Sequence, residues 1–333
     1  MKSLDKVKWG ILSTANIAQT QVIPAIQRSK KAEVIAVASR GEKVHDFARD
    51  MNIARAYENY DALLKDEEVQ VVYIPLPNDL HKEWVMKAAA AGKHILCEKP
   101  IALTNEDLDE MIDACKKHNV LLMEGFMYQF HAQHARVKEI IASGEIGEVK
   151  LFKSSHSFDF VDRAGNIRMD PLKGGGALFD VGCYTLHALL TIIGSKPKSV
   201  FFQTIMDEAT KVDTTAVGMI QLENQVTALV DCSFDMTNRN EYEIVGTKGT
   251  ILVKYAFRPD FFSGNGQIII TTGATSRTEQ IPGDIYTLEV DYFSDAMLNN
   301  ATLDDLHESS KQTMRLLNAA RQSALENSVI YFE

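Results

Sequence analysis

Cysteine is scarce: the 333 residues hold four, Cys97, Cys115, Cys183 and Cys232, with no C-x-x-C pair and no local His/Cys cluster. That scatter argues against a disulfide framework and a thiolate metal site, and predicts reduced thiols in a cytoplasmic protein without a metal. An excess of positive charge is lacking too. With 35 basic and 45 acidic side chains the net charge is −10, so no long-range field gathers phosphate backbones or anionic lipid, and nucleic acid is not an expected partner. No apolar stretch approaches the length that spans a bilayer and no apolar run precedes the first strand-like segment, so neither membrane insertion nor export is expected. Proline numbers only 8, and no repeat, low-complexity tract or long linker breaks the chain.

The rest is the composition of a globular protein, 45% hydrophobic and 24% charged, at a length that suits two domains. Residues 1–123 repeat one rhythm of a short β-branched run, a turn, and a helix with apolar residues three and four apart. The pattern predicts strands over 7–12, 33–39, 69–75, 94–97 and 120–123, and helices near 17–28, 43–51, 80–91 and 106–118. Such strands belong to a parallel sheet, so the first domain, 1–123, is expected to be an α/β, doubly wound Rossmann domain. From residue 124 the rhythm changes. A helix over 132–142, a strand over 149–157 and paired strands 212–222 with 226–234 and 242–245 with 250–253 predict an antiparallel sheet, closed by a helix over 303–325. Residues 124–333 are therefore expected to form the second domain.

The first strand runs into Ser13-Thr14-Ala15-Asn16-Ile17-Ala18, where a Rossmann protein shows G-x-G-x-x-G. All three glycines are replaced, by the small residues Ser13, Ala15 and Ala18, which hinder but do not exclude backbone approach to a pyrophosphate. The second strand ends at Ser39-Arg40, where an NAD-preferring site places an acid for the ribose 2′-hydroxyl. A guanidinium there, helped by Ser39 and Lys43, suits a 2′-phosphate, so NADP(H) is the favoured cofactor and NAD(H) the alternative. Pro75-Leu76-Pro77-Asn78-Asp79-Leu80-His81 and Cys97-Glu98-Lys99-Pro100 leave later strands at the carboxyl edge, which makes Pro77, Asn78, His81, Glu98 and Lys99 further cofactor candidates. His81 by itself reads as a surface helix histidine.

In the second half, Asp180, Tyr184 and His187 fall at i, i+4 and i+7 of a predicted helix, within an arc of about 60°. Leu178, Phe179, Leu186, Leu189, Leu190 and Ile193 fill most of the remaining surface, so this polar stripe interrupts a buried helix and needs partners. The preceding Gly174-Gly175-Gly176 suggests a ligand's close approach to the backbone. Tyr128, Arg168 and Asp159 are weaker candidates on neighbouring loops.

Taken together, Pro77-Asn78-x-x-His81, Ala91-Gly92-Lys93-His94-x-x-Cys97-Glu98-Lys99-Pro100, Glu124-Gly125-Phe126-Met127-Tyr128, the run from Gly174 to Tyr184 and Gly246-Thr247-Lys248-Gly249-Thr250 resemble the Gfo/Idh/MocA oxidoreductases over nearly the whole chain. Trp9–Ala15, W-G-I-L-S-T-A, is similar to the dihydrodiol and pyranose (xylose)-type dehydrogenase branch. The resemblance implies a Rossmann domain followed by an α/β domain whose large open sheet often forms a dimer interface. It also implies nicotinamide redox chemistry on sugars, inositols, dihydrodiols and related molecules. It maps the family's catalytic lysine onto Lys99 and its D-x-G-x-H/Y pair onto Asp180 and Tyr184. Gln129 and Ala132 depart from the Arg and Pro common in that branch, which bears on substrate rather than chemistry.

With those roles, Lys99 and Tyr184 form the acid/base pair on the reacting oxygen, Asp180 orients Lys99 or the substrate, and Tyr128, Arg168 and His187 offer substrate contacts. Lys99 can exchange a proton only if its pKa falls well below about 10.4. The expected activity is hydride transfer between NADP(H) and a secondary alcohol or ketone of a sugar, polyol or dihydrodiol, by a homodimer or higher oligomer formed through the second domain's sheet. Two alternatives share the fold. A nucleotide-sensing regulator would bind NADP without turnover, and a redox-neutral glycosidase would retain NAD through its cycle. Lys99 with Tyr184 argues against the first, and Arg40 against the second.

Overall fold

A computed structural model describes residues 6–332. The chain divides into two compact units, Met1–Met127 with Tyr286–Glu308 and Tyr128–Ile285 with Ser309–Glu333.

The first unit is built on six strands: β1 (Val7–Leu12), β2 (Ala32–Ala38), β3 (Arg55–Tyr57), β4 (Val71–Ile74), β5 (His94–Glu98) and β6 (Leu122–Gly125). Every pairing is parallel and the order is β3-β2-β1-β4-β5-β6, the doubly wound order of dinucleotide-binding sheets. All of β4 is buried, as a parallel strand covered on both faces requires. The connecting helices are α1 (Ile23–Arg28), α2 (Lys43–Asp50), α3 (Tyr60–Leu64), α4 (His81–Ala90) and α5 (Asn105–Lys117). Side-chain caps set two of their starts: Asn59 accepts from the Ala62 amide at 2.8 Å, and Thr104 from the Asp107 amide at 3.1 Å. The strand not anticipated is β3, three half-buried residues at the sheet's edge with no apolar run to announce them.

From sequence, 124–333 reads as one block, yet Tyr286–Glu308 belongs to the first unit. Its helix α8 (Ile285–Leu298) sets Phe293 edge-on to the buried Trp9, ring centroids 5.6 Å apart. Such a pair contributes about 0.5–1.5 kcal/mol beyond its buried area. Asp291 accepts from the Ser29 hydroxyl and Asp295 pairs with Lys31. Further on, in α9 (Asp304–Glu326), His307 Nε2 bonds the Leu122 carbonyl at 2.8 Å.

The second unit carries α6 (Ala132–Ala142), β7 (Val149–Asp159), α7 (Cys183–Ile193), β8 (Pro197–Met206), β9 (Asp213–Leu222), β10 (Thr227–Ser233), β11 (Asp235–Gly246), β12 (Gly249–Lys254), β13 (Asn265–Thr272), β14 (Thr275–Pro282) and β15 (Ile330–Tyr331). Its sheet runs β14-β13-β12-β11-β7-β10-β9-β8-β15, open at both edges and antiparallel except between β7 and β10. Helix α7 lies against β7 and β10. One expectation needs correction here. The helical run Pro171–Ile193, 23 residues, is long and apolar enough to cross a membrane, but 83% of an apolar 18-residue stretch within it is buried inside the protein, where it serves as core.

Candidate active site

Parallel pairing fixes what stands beside what at the carboxyl edge of the six-stranded sheet. Leu12 pairs with Ala38, Ile11 with Tyr73, Ile74 with Cys97, and Glu98 with Gly125. The segments starting at Ser13, Ser39, Pro75 and Lys99 therefore leave along one edge, and the strand order reverses there, where open α/β sheets bind ligands.

Ser13 has φ 141°, a conformation that favours glycine, at the place of the fingerprint's first glycine. Its hydroxyl accepts from the Ala15 amide at 2.9 Å, so the side chain that costs strain also secures the turn. Thr14, Ala15 and Ile17 are half-buried, Asn16 is exposed, and the chain then enters a wide π turn over Ala18–Val22. Beside this loop, the Ser39 amide bonds the Tyr57 carbonyl at 3.0 Å, and Arg40 and Lys43 are exposed.

His81 is fully buried rather than on the surface of its helix. Nδ1 lies 3.0 Å from the Pro100 carbonyl and Nε2 2.9 Å from that of Leu76, so one ring bridges the two segments that carry Asn78 and Lys99. Both oxygens only accept, and a neutral imidazole donates to one of them. Burial lowers the pKa of His81, while the carbonyls of Leu76, Pro100 and Ile101 pull the other way. Glu124 accepts from the Ile101 amide at 3.0 Å, and Tyr73 donates to Glu98 Oε1 at 2.6 Å. Lys99, half-buried, is thus held by fixed neighbours on either side, with a cis peptide to Pro100.

In the second unit the expected stripe is split. A π turn, Leu178–Gly182, precedes α7, so Asp180 stands on a wider turn than Tyr184 and His187 and leaves the α-helical register that would align all three. Asp180 accepts from Arg168 Nε at 2.6 Å, joining two candidates that sequence left separate. Tyr184, 6% exposed, sits among Tyr128, His156 and Phe257, with ring centroids 5.9, 5.1 and 5.6 Å away. Tyr128 and His187 lie in the interior behind it, 1% and 2% exposed. The Tyr128 hydroxyl is 2.5 Å from His187 Nδ1, and Ser309 Oγ is 3.3 Å from Nε2. Burial holds the His187 pKa down to about 3. Asp159 is exposed at the end of β7.

The glycine run has a different purpose from the one expected. A Cβ on Gly175 would come within 2.6 Å of the Arg168 carbonyl and 2.8 Å of the Asp170 carbonyl; one on Gly176, at φ 110°, would come within 2.1 Å of Asp213 Oδ1. The space is filled by the protein's own backbone and by Asp213, whose carboxylate accepts from the Leu178 amide at 2.7 Å. That acid, on β9, secures the start of the turn bearing Asp180. Sequence spacing gave no signal for Asp213, nor for His156 and Phe257, which come from β7 and from the loop after β12. Asn240 fixes that loop, accepting from the Phe257 amide at 2.7 Å.

Residues 7–126 match the family model described as oxidoreductase family, NAD-binding Rossmann fold, and residues 134–252 match the Gfo/Idh/MocA C-terminal domain. The chain belongs to the Gfo/Idh/MocA oxidoreductases. It is 38% identical to the D-xylose 1-dehydrogenase (NADP(+)) 2 of Haloferax volcanii, over 95% of this chain and 97% of that one. It is 32% identical to the mouse (Mus musculus) trans-1,2-dihydrobenzene-1,2-diol dehydrogenase over 78% of each. A crystal structure of a 3-ketoreductase from Actinomadura kijaniata in complex with NADP and TDP-benzene superposes with a TM-score of 0.91 at 28% identity, covering 96% of this chain and 98% of that one. As a Gfo/Idh/MocA Rossmann domain, the first unit fits a dinucleotide: Ser13 adopts the backbone of a glycine, and Arg40, exposed at the end of β2, stands where an NAD-preferring domain carries an acid.

Proposed function

We propose that this oxidoreductase transfers hydride between NADP(H) and a secondary alcohol or ketone of a sugar or polyol-like molecule, with Lys99 and Tyr184 as its proton-transfer pair. The row of loops on the carboxyl edge of the six-stranded sheet carries the reading: Ser13–Ile17 and Pro77-Asn78 for the dinucleotide, Ser39, Arg40 and Lys43 for a 2′-phosphate, and Glu98-Lys99 at the end of β5. The xylose dehydrogenase, dihydrodiol dehydrogenase and ketoreductase relatives support both the cofactor and the substrate class.

NADP(H), when bound, supplies or accepts the hydride. Neutral Lys99 takes the hydroxyl proton during oxidation and its ammonium returns it during reduction, while the Tyr184 phenol donates a hydrogen bond to the same oxygen. Asp180, paired with Arg168, orients a substrate hydroxyl. Tyr128 and His187 act indirectly, by holding the ring of Tyr184.

The N-terminal unit is the cofactor domain in this reading, and the C-terminal one the substrate and dimerisation domain. One face of its sheet supports a homodimer: Leu229 pairs with Met219 and Met219 with Phe201, and the exposed Ile205 and Val217 extend the patch. No disulfide joins any of the four cysteines, all of them buried, which supports a reducing, cytosolic setting. The test is an absorbance assay with NADP(H) and NAD(H) against aldoses, ketoses, inositols, deoxy-osones and dihydrodiols, in both directions. Turnover with NADP(H) on one of these classes is expected; tight NADPH binding with no turnover on any would overturn the reading.

A further inference from the structure

Asn240, on β11, is buried at a junction of the second unit. Antiparallel register sets it opposite His156 of β7. On its other side the ladder between β11 and β12 ends one residue along, where Glu241 pairs with Lys254. Past Lys254 the chain turns through Tyr255 at φ 55°, a left-handed conformation that side chains rarely adopt, so the turn has to be held by its bonds. Asn240 takes the three amides that follow. Its backbone carbonyl accepts from Ala256 at 2.9 Å, and its side-chain oxygen accepts from Phe257 at 2.7 Å and from Arg258 at 3.2 Å, the two donors that an amide oxygen has lone pairs for. From α6, Gln133 Nε2 and His134 Nε2 lie 3.2 and 3.0 Å from the Ala256 carbonyl.

The residue so held, Phe257, is fully buried, and its ring is the hub of the nest around Tyr184. It stacks on His156 with centroids 5.0 Å apart and planes at 22°, meets Tyr128 edge-on at 5.1 Å and lies 5.6 Å from Tyr184. His156 in turn meets Tyr184 edge-on at 5.1 Å. Two of the rings packed against Tyr184 are thus placed by one asparagine, His156 across the ladder and Phe257 through its amide.

We propose that Asn240 is a positioning residue for proton transfer, setting the phenol of Tyr184 through Phe257 and His156. Interiors are close-packed, so when the loop shifts its ring shifts with it and the neighbouring phenol follows. The chemistry tolerates little of that, since a misplacement of about 1 Å can cost about 10²-fold in rate. The inference rests on Tyr184 acting in the proposed proton-transfer pair.

A double-mutant cycle on the full-length enzyme tests it. Asn240→Ala removes the shared acceptor and is expected to lower kcat by about 10²-fold while the Kd for NADPH stays the same. In Tyr184→Phe, which has no phenolic hydroxyl left to place, the same substitution is expected to lower kcat by less than about threefold. Equal losses in the two backgrounds overturn the proposal, because a merely structural defect does not depend on that hydroxyl; an unchanged kcat in Asn240→Ala overturns it too. Asn240→Asp keeps an oxygen that accepts from both amides and is expected to recover most of the loss, and activity no better than that of Asn240→Ala refutes the role of the acceptor. Where Asn240→Ala does not fold, Phe257→Leu serves: its loss is expected to depend on the Tyr184 hydroxyl in the same way, and equal losses refute the route through that ring. Failure of wild type to turn over any substrate, or full activity in Tyr184→Phe, counts against the proposed function, whereas equal losses in an active enzyme count against Asn240 alone.

Discussion

The hydroxyl of Tyr128 and Nδ1 of His187 lie 2.5 Å apart in the interior of the second unit. With the His187 pKa pushed down to about 3 by burial, the ring is neutral at ordinary pH. Either neutral tautomer satisfies both of its nitrogens: Tyr128 donates to Nδ1 while Nε2–H donates to the Ser309 hydroxyl, or Nδ1–H donates to Tyr128 while Ser309 donates to Nε2. That fixes the Tyr128 ring, against which Tyr184 rests.

Lys99→Met and Tyr184→Phe are each expected to lower kcat by about 10²- to 10⁴-fold, the usual contribution of a positioned acid or base. NADPH affinity, followed by fluorescence titration, should change little. Wild-type turnover in both variants would remove the proton-transfer assignment.

Arg40→Ala tests cofactor choice. Losing a charge-assisted bond of about 1.5–3 kcal/mol should raise the Kd for NADPH by about 10- to 100-fold and leave NADH nearly unaffected. An equal loss for both dinucleotides would show that the guanidinium does not read the 2′-phosphate.

Asp213→Ala leaves the Leu178 amide without the acceptor it has at 2.7 Å. The expected cost is about 1–3 kcal/mol, read from urea unfolding. Stability equal to wild type would mean that the turn bearing Asp180 holds itself.

Acid should weaken the fold through His134 and His187, whose pKa values burial lowers to about 3. Below about pH 6.5 the unfolded chain binds more protons than the native one, so stability is full above that pH and falls as pH drops toward 3. At pH 5 the loss is about 2 kcal/mol for each histidine. His187→Gln should flatten that dependence, and a urea midpoint unchanged between about pH 7 and 5 would contradict both assignments.

The parallel sheet was readable because runs such as Val71–Ile74 have no face that tolerates water, and α6 because its apolar spacing starts and stops within one element. The strand Arg55–Tyr57 and the helix Ile285–Leu298 were not. The first is three half-buried residues, and the second mixes Tyr, Thr, Val and Phe, residues common in strands, into its turns. At the site, motif positions nominated Lys99, Asp180 and Tyr184 as candidates, but the side chains that hold them came from distant sequence. Arg168 on Asp180, Asp213 behind Gly176 and Tyr73 on Glu98 are tertiary facts with no periodic trace. Gly174-Gly175-Gly176 shows the limit well. Small residues predict a close approach correctly, yet say nothing about whether a ligand or the protein's own chain makes it.

The wide turn over Leu178–Gly182 sets the rotational phase of everything that follows it. Were the same five residues wound as ordinary α-helix, each later side chain would swing round the axis by about 90°. Tyr184 would leave its aromatic nest and an apolar neighbour would take its azimuth, so a change of winding that spares every side chain is enough to disable the enzyme.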